Sequence, residues 1–328
     1  MQSSTTERSA RTEWNYNPEL PIGNNPLFEW PLRLRNIARY YRDYWLTLSE
    51  VSIFLMLAIV GYGLHQQHLF ADAQFTVGDA GQIYLRNLGL TLLVAGGFHL
   101  LLFRQKSQGT TQKYVAQFGH KGGARFTLGN QLYDNMFWSL VSGVGVWSLY
   151  EVALLWRLAS DTDQILRFVD NPALFIAILF GTGIWIAFHF YWVHRLLHVG
   201  VFYKYVHSLH HRNVNIGPWS GISMHPVEHC LYFSSMLIHL VIPSHPMHIM
   251  FHGYMLALSA IFGHTGFHAL VVKNKDRLAL GHFHHQLHHR YFECNYGSVD
   301  FPLDVWFGTF HDGTSAARRR LKLRLGPR

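Results

Sequence analysis

The sequence predicts an all-α membrane protein with about four transmembrane helices and a cytosolic, helical, histidine-rich cap that binds metal. Apolar residues make up 49% of the 328 residues and charged residues only 14%, whereas soluble domains carry about 25% charged residues. Four apolar stretches approach the length of about 20 residues that spans a bilayer. Twenty of the 24 histidines lie beyond or at the end of these stretches, between His189 and His311.

The chain divides into four regions on this interpretation. Residues 1–45 form a cytosolic or interfacial segment, 46–184 the transmembrane helices, 185–312 the catalytic region, and 313–328 a basic tail. Residues 1–26 are polar and lack the apolar core of a secretory signal. Residues 27–45 mix Trp, Tyr and Leu with four arginines, which is typical of a helix lying against anionic headgroups. A cytosolic helix packed on the rest of the protein is the alternative.

Four apolar segments are the predicted spans: Leu46–Leu64, Leu88–Phe103, Met136–Leu155 and Leu174–Val193. The second is short for a span. Two shorter runs, Cys230–Ile242 and Ile249–Phe262, predict a re-entrant hairpin or buried core helices rather than full spans.

The charges of the loops predict the orientation. Lys and Arg concentrate in the leader, in residues 104–125 and after Val193, whereas residues 65–87 and 156–171 hold few of them. The positive-inside rule then places both termini and the histidine-rich region in the cytosol. The net charge of +8 is explained by this distribution, and no nucleic-acid partner is expected.

Ten histidines form four short clusters at helical spacing. Positions i, i+3 and i+4 share one face of a helix, so each cluster presents its imidazoles together. The clusters are HRLLH (His194, His198), HSLHH (His207, His210, His211), HTGFH (His264, His268) and HQLHH (His285, His288, His289). Gly266 makes a regular helix less certain in the third cluster.

Ten imidazoles are enough for two metal ions of about five nitrogen ligands each. Imidazole alone does not choose among iron, zinc, copper and nickel. The chain has no HExxH of a zinc peptidase, and its two cysteines give no disulfide framework or Cys-type zinc pattern. Isolated histidines elsewhere are expected to be satisfied core or interfacial residues: His65, His68, His99, His120, His189, His239, His245, His248 and His252.

Residues 185–312 resemble the fatty acid hydroxylase and sterol desaturase superfamily, which includes bacterial ornithine-lipid hydroxylases. The resemblance rests on HRLLH, HSLHH, HPVE (His225–Glu228), HTG (His264–Gly266), HQLHH, NYG (Asn295–Gly297) and FGT (Phe307–Thr309), in that order. It implies a non-haem centre, usually of two irons, that uses O2 to hydroxylate or desaturate a lipid. The implied ligands are the histidines of the four clusters.

Several roles stay open at this point. His282 and His284 compete with the fourth cluster for places at the metal, and zinc can occupy the site in purified protein. Glu228, Asn295 and His225 are candidates for orienting the imidazoles, as are Asp300 and Asp304, for which a cap or surface role is preferred. Aromatic residues of the fourth span and beyond, Trp185, Phe188, Phe190, Tyr191, Trp192, Trp219 and Phe267, are either channel-lining residues or interfacial anchors.

The predicted function is O2-dependent hydroxylation of an acyl chain, a sterol or an aminolipid such as ornithine lipid. A desaturase with the same site, a membrane metal transporter or storage protein, and a di-haem carrier are the alternatives. The chain shows no dinucleotide fingerprint or haem-carrier domain, so a separate ferredoxin or flavin reductase is expected to supply electrons. The short loops favour a bacterial inner membrane over the endoplasmic reticulum.

Overall fold

The computed structural model describes residues 14–69, 75–120, 123–160 and 165–326, with the side chains of residues 65–69 left out. The expectations for residues 1–13 and for the His65 and His68 side chains therefore lie outside the described residues. The described chain is mostly helical, as the composition predicts.

The first two helices form a bent pair. Helix α1 spans Leu34–Trp45 and buries none of its residues, and helix α2 spans Glu50–Leu69. The two meet at 49° across a short break, as a broken span or a re-entrant element would. The placement of α1 against a lipid surface stays a prediction.

Three further helices are long and apolar enough to cross a membrane: α3 (Val77–Arg104), α4 (Gln131–Ala159) and α5 (Pro172–Leu197). The described residues therefore hold three such helices, or four if the bent pair counts as one span. The second predicted span is longer than expected, because the helix begins at Val77 and not at Leu88. Residues 65–87 were predicted as a loop that holds few Lys or Arg and several Asp.

A buried ion pair explains how α3 carries that charge. Arg86 on α3 pairs with Glu151 on α4, and Asn87 donates to the same carboxylate at 2.9 Å. Glu151 is fully buried. Opposite charges that face each other inside a helix bundle avoid the cost of exposing either one to lipid.

The predicted hairpin of residues 230–262 is a core element. Helix α7 (Pro226–Phe233) continues as a 3-10 helix (Ser234–Leu240), and helix α8 (Pro246–Gly263) returns through the bundle against α2, α4 and α5. At 1.5 Å per residue, α8 is about 27 Å long, which is close to the thickness of a bilayer core. Gly253 lets α8 pass close to α4, since a Cβ there would lie 2.5 Å from Trp147 Nε1.

The remaining elements build the cap at one end of the bundle. They are the helical run α6 (Gly200–Phe202, Tyr203–His207, Ser208–His211), the strands β1 (Ala269–Val272) and β2 (Lys275–Ala279), and the helices α9 (Phe283–Tyr291), α10 (Leu303–Trp306) and α11 (Ser315–Leu325). Short 3-10 turns at Pro26–Phe28 and Pro218–Ser220 complete the described elements.

The cap departs from the all-α prediction in its β-hairpin. Strands β1 and β2 pair antiparallel from Ala269↔Ala279 to Val272↔Lys275. Lys273 and Asn274 between them both have positive φ, of 52° and 58°, as the two central residues of a type I′ turn require. The β-branched residues of ALVV and the Asn in the turn were the local signals for this hairpin.

The basic loop before α4 also folds onto the cap. Lys113, one of the basic residues of the 104–125 loop, is fully buried and donates to the carbonyls of Val115 and Gln117. Tyr114 N–H donates to Gly266 O at 3.0 Å. The loop therefore supports the segment that carries the third histidine cluster.

Candidate metal centre

The C-terminal end of α5 supplies the first histidines. His194 and His198 lie four residues apart, so they share a face of the helix. His194 is buried and its Nδ1 donates to the carbonyl of Tyr296 at 2.7 Å. This bond leaves the Nε2 atom of His194 pointing into the cap with its lone pair free.

Helix α6 divides its histidines between two directions. A wide π-helical turn at Tyr203–His207 precedes the α-helical turn Ser208–His211, and such turns occur often at functional sites. His207 Nδ1 lies 2.7 Å from Glu228 Oε1, and His210 Nδ1 lies 3.3 Å from Ser223 O.

Helix α9 carries the fourth cluster, His285, His288 and His289. His288 Nδ1 donates to Cys294 O at 2.7 Å. The helix ends at Phe292, which has a positive φ of 65°, and the chain turns back so that Cys294 and Tyr296 face α5 and α9.

Nine of the ten predicted ligands converge in two groups. In each group the potential ligand atoms all lie within 4.8 Å of one another. The first group is His194, His198, His207, His211 and His288; the second is His210, His264, His285 and His289. The groups adjoin each other, since the rings of His211 and His289 lie 4.9 Å apart. Neither His282 nor His284 belongs to a group.

His268 is the predicted ligand that the fold places elsewhere. Helix α8 ends at Gly263, and Gly266 turns the chain with a φ of 76°. The spacing of four between His264 and His268 therefore does not put both rings on one face. His264 Nδ1 bonds to Ala260 O at 2.7 Å, whereas His268 Nδ1 lies 3.4 Å from the Tyr114 hydroxyl. We remove His268 from the ligand set.

The contacts between the ring nitrogens fit a metal ion in each group. His194 and His207 approach at 3.0 Å through Nε2, and so do His211 and His288. The Nδ1 protons of His194 and His207 are assigned to the Tyr296 carbonyl and to Glu228. Both Nε2 atoms then present lone pairs to each other, which is repulsive without a cation.

The second group repeats this pattern. His289 Nε2 lies 3.1 Å from the Nε2 atoms of both His264 and His285. Imidazole nitrogens bind zinc at about 2.0–2.1 Å, and two such ligands at right angles lie about 3.0 Å apart. The separations within both groups therefore suit nitrogen ligands of a shared ion.

The protonation states suit the same role. Burial lowers the pKa of His210 to about 4 and that of His198 to about 3. Burial also holds the pKa values of His211 and His288 well below the usual 6.5. These imidazoles are neutral at pH 7, and the neutral ring is the form that binds metal.

Of the residues considered for orienting the imidazoles, Glu228 alone contacts an imidazole of the two groups. Its side chain is buried against His207, as above, and burial raises the pKa of its carboxyl group. Asn295 instead donates to the carbonyls of His284 and His311, both at 3.0 Å. His225 caps α7 by accepting from Val227 N–H at 3.2 Å. Asn295 and His225 therefore shape the backbone, and their predicted contact with an imidazole is wrong.

Asp304 has a larger part than the sequence suggested. It accepts from the backbone N–H groups of Tyr296 and Gly297 at 2.8 and 2.7 Å and from the Thr309 hydroxyl at 2.6 Å. These bonds fix the loop whose Tyr296 carbonyl anchors His194. In the sequence, only an acidic residue near NYG and FGT pointed to this role.

A cavity of about 600 Å³ lies beside both groups. His194 and His207 of the first group reach it, as do His210, His264 and His285 of the second. Much of its remaining wall is apolar or aromatic, contributed by α1, α5 and α8. Of the seven aromatic residues considered for a channel, Phe190 alone lines this cavity; Tyr191 and Trp219 are buried elsewhere, and Trp192 is exposed.

The comparisons with known proteins concern the same part of the chain. Residues 179–309 match the family model described as fatty acid hydroxylase. A Delta(7)-sterol 5(6)-desaturase of Gibberella zeae is 34% identical over 128 residues, which cover 36% of this chain and 37% of that protein.

Two further relatives align over similar regions. A Delta(7)-sterol-C5(6)-desaturase of Nicotiana tabacum is 29% identical, covering 45% of this chain and 52% of its own length. A very-long-chain aldehyde decarbonylase of Arabidopsis thaliana is 31% identical, covering 44% and 25%. The matched region thus spans about half or less of each relative. No solved structure matches the chain.

Proposed function

We propose that this chain is a membrane-bound, O2-dependent oxidoreductase that hydroxylates a lipid at two non-haem irons, and the match of residues 179–309 to the fatty acid hydroxylase model supports this proposal. The first histidine group holds one ion and the second group the other. The observation that carries the proposal is the position of both groups on a single, largely apolar cavity.

The ligand set supports two adjacent ions rather than one. Nine neutral imidazoles exceed the needs of a single ion, and they separate into groups of five and four. Iron, when bound, supplies the activation of O2 that an unactivated C–H bond needs. Zinc bound in a purified preparation would occupy the same nitrogen atoms.

The residues of the chain contribute position and exclusion of water. The carbonyls of Tyr296, Cys294 and Ala260 hold the Nδ1 protons, so that the Nε2 atoms aim at the ions. Glu228 does the same for His207. The aromatic wall around Phe190 keeps water from the reacting carbon and orients the lipid chain.

The reaction also requires electrons and protons. Hydroxylation consumes the lipid C–H bond, O2, two electrons and two protons, and it yields an alcohol and water. The proposal includes a separate electron carrier, a ferredoxin or a flavin reductase. It also places the cap and both termini in the cytosol of a bacterium, on the inner membrane, as the distribution of Lys and Arg favours.

Desaturation is the second candidate, since two of the matched relatives are sterol desaturases. Both outcomes begin at the same C–H bond, but desaturation adds no oxygen to the lipid. A metal transporter is a weaker alternative, because the two histidine groups lie at the end of the bundle and not along a path through it.

Lipid mass spectrometry of cells with and without the gene, grown under labelled O2, tests the proposal. Hydroxylation predicts a lipid that gains one labelled oxygen atom only when the gene is present. A lipid that loses two hydrogens would replace hydroxylation by desaturation. Gene-dependent movement of metal across liposomes, without any oxygen-dependent lipid product, would refute both.

A further inference from the structure

A cluster of aromatic side chains joins the cap to the end of α5, and we call it the aromatic platform. Its members come from the segment before α1, from α5, and from α10 and its neighbours: Phe28, Phe188, Trp192, Phe301, Trp306 and Phe307. The ring of Phe307 lies 5.2 Å from that of Trp192 on α5, and the ring of Trp306 lies 5.2 Å from that of Phe301. The platform therefore packs directly against a helix that is long and apolar enough to span a membrane.

The outer side of the platform is exposed. Val305, Trp306 and Phe307 keep 45%, 57% and 53% of their surface accessible, and Trp192 beside them keeps 45%. Large apolar side chains that lie exposed next to one another are uncommon on soluble proteins and indicate a surface that another apolar body covers. The platform therefore calls for a partner that offers apolar surface.

The position of the platform along α5 identifies that partner as the bilayer. Helix α5 begins at Pro172, directly after the polar residues Asp170 and Asn171. At 1.5 Å per residue, Trp192 lies about 30 Å further along the helix, a distance equal to the thickness of the hydrocarbon core. Trp192 and the rings packed against it therefore lie at the level where aromatic side chains border the lipid.

Exposed basic residues adjoin the platform on the side of the cap. Arg195 lies about one turn beyond Trp192, and Arg324 of α11 donates to the carbonyl of Gly308 at 2.7 Å. Cations placed just beyond an aromatic belt match the phosphate groups of lipids. A protein partner fits this surface less well, because α5 itself requires lipid around it at the same level.

Helix α10 connects the platform to the metal centre. On its buried side, Asp304 accepts from the N–H groups of Tyr296 and Gly297 at 2.8 and 2.7 Å, and the Tyr296 carbonyl in turn bonds to His194. Residues 297–300 of the same loop line the cavity. One side of this four-residue helix thus holds the loop of the metal centre, while the other side is the exposed part of the platform.

We propose that the aromatic platform is a membrane-docking surface of the cap: Val305, Trp306 and Phe307 insert into the bilayer interface beside α5 and thereby hold the loop of residues 296–300 in place. The cap then does not lie wholly outside the membrane, since its α10 edge reaches the level of the lipid head groups and the first acyl carbons. The inference goes beyond the proposed function and requires only that α5 spans a bilayer, so it is independent of the reaction that the metal centre catalyses.

Paramagnetic resonance of a nitroxide label on the full-length protein in phosphatidylcholine vesicles tests the docking. In a Cys230→Ser background, which leaves only the buried Cys294, the label is attached in Val305→Cys or in the control Leu323→Cys. Leu323 lies on α11, outside the platform, and is 83% exposed. Collisions with O2, which concentrates in lipid, should dominate for Val305→Cys, whereas collisions with a water-soluble nickel chelate should dominate for Leu323→Cys. Equal access of the chelate to both labels would overturn the inference. Protection of the Val305→Cys label from both reagents would also overturn it, because protein would then cover the platform.

A second pair of variants tests the link from the platform to the loop. In vesicles, Val305→Glu should raise the amide hydrogen exchange of residues 296–300 several-fold, because a carboxylate is costly among lipid and lifts α10 from the interface. Leu323→Glu should leave that exchange unchanged. Unaltered exchange in a folded Val305→Glu protein would contradict the proposed hold on the loop. If Val305→Glu does not fold, the label comparison decides the docking alone, since it needs neither this variant nor turnover.

Discussion

The histidines of the cap and those of the bundle are equally buried but satisfied in different ways. In the bundle, His239 Nδ1 pairs with the Ser244 hydroxyl at 2.8 Å, and His252 Nε2 pairs with Ser235 at 2.9 Å. His248 Nε2 pairs with the Phe175 carbonyl at 3.0 Å. Each of these contacts matches a donor with an acceptor, so no ion is needed.

In the cap, the Nδ1 atoms of His194, His264 and His288 bond to backbone carbonyls, and that of His207 bonds to Glu228. Their Nε2 atoms lie 3.0–3.1 Å from the Nε2 atoms of other histidines. A large number of nearby histidines therefore does not by itself define a metal site. A metal site is indicated when one ring nitrogen of each histidine is hydrogen-bonded and the other faces the lone pair of another ring.

The largest expected effect comes from removing a cap ligand. His288→Ala should abolish turnover and lower bound metal by about half or more, because His288 faces His211 in the first group. Elemental analysis and product assays measure both. The matched bundle variant His252→Ala should keep its metal even if it lowers the melting temperature. Loss of metal from both variants alike would erase the distinction between the two regions.

The next largest effect is expected from removing the metal, which should destabilise the cap more than the bundle. Chelation should abolish activity reversibly and lower the Tm by several degrees, since ligands present at 100 to 1,000 times Kd stabilise a fold by about 3–4 kcal/mol. Hydrogen exchange should rise in α6 and α9, whose histidines lose their common partner, and change little in α8. Uniform loosening of bundle and cap would contradict this expectation.

Glu228→Gln should have an intermediate effect. The amide still accepts a hydrogen bond from His207 but cannot take the negative charge that a bound cation favours on the buried carboxyl group, so metal affinity should fall about 10- to 100-fold. Metal-buffer titration measures this change. The exposed Asp43→Asn serves as the control, and an unaltered affinity in Glu228→Gln would show that the carboxylate is only a packing partner.

Acidification should weaken the metal-free cap over a defined range. The folded pKa of His210 is about 4 and that of His198 about 3, whereas an unfolded histidine titrates near 6.5. Below about pH 6.5 the unfolded chain binds protons that the folded cap rejects, so stability is fully present above that pH and falls as pH drops toward 4. Thermal unfolding of chelated protein between pH 7 and 4.5 measures this, and a Tm that rises on acidification would contradict it.

The smallest effect is expected at His268. His268→Ala should leave metal content within about two-fold of the unaltered protein, because the ring faces Tyr114 rather than either group. His264→Ala, four residues earlier, is the matched comparison and should lower metal in the second group. Equal losses in the two variants would restore His268 to the ligand set.

The sequence predicts which histidines lie close together where they sit on helices, and it fails where the backbone turns. HRLLH, HSLHH and HQLHH keep their spacing on α5, α6 and α9, so i, i+3 and i+4 report true neighbours. HTGFH does not, because Gly266 turns the chain between its two histidines. HSLHH and HQLHH each divide between the two groups, with His211 and His288 in the first and His210, His285 and His289 in the second, and the spacing within each motif does not specify that division.

Contacts between residues that are distant in sequence could not be predicted, because they depend on how the chain folds back on itself. The carbonyls of Tyr296 and Cys294 reach α5 and α9 only because Asp304 and Asn295 hold the returning loop, and backbone acceptors leave no mark in the sequence. Spans were recognised by hydropathy, yet the start of α3 was missed since Arg86 is neutralised by Glu151, 65 residues away.

Metal analysis combined with X-ray absorption of the purified protein would show whether the two histidine groups hold two metal ions. We expect about two ions per chain, iron under native conditions, each surrounded mainly by imidazole nitrogen. One ion per chain, or a ligand shell dominated by sulfur or carboxylate oxygen in protein that still forms the oxygenated lipid, would contradict it.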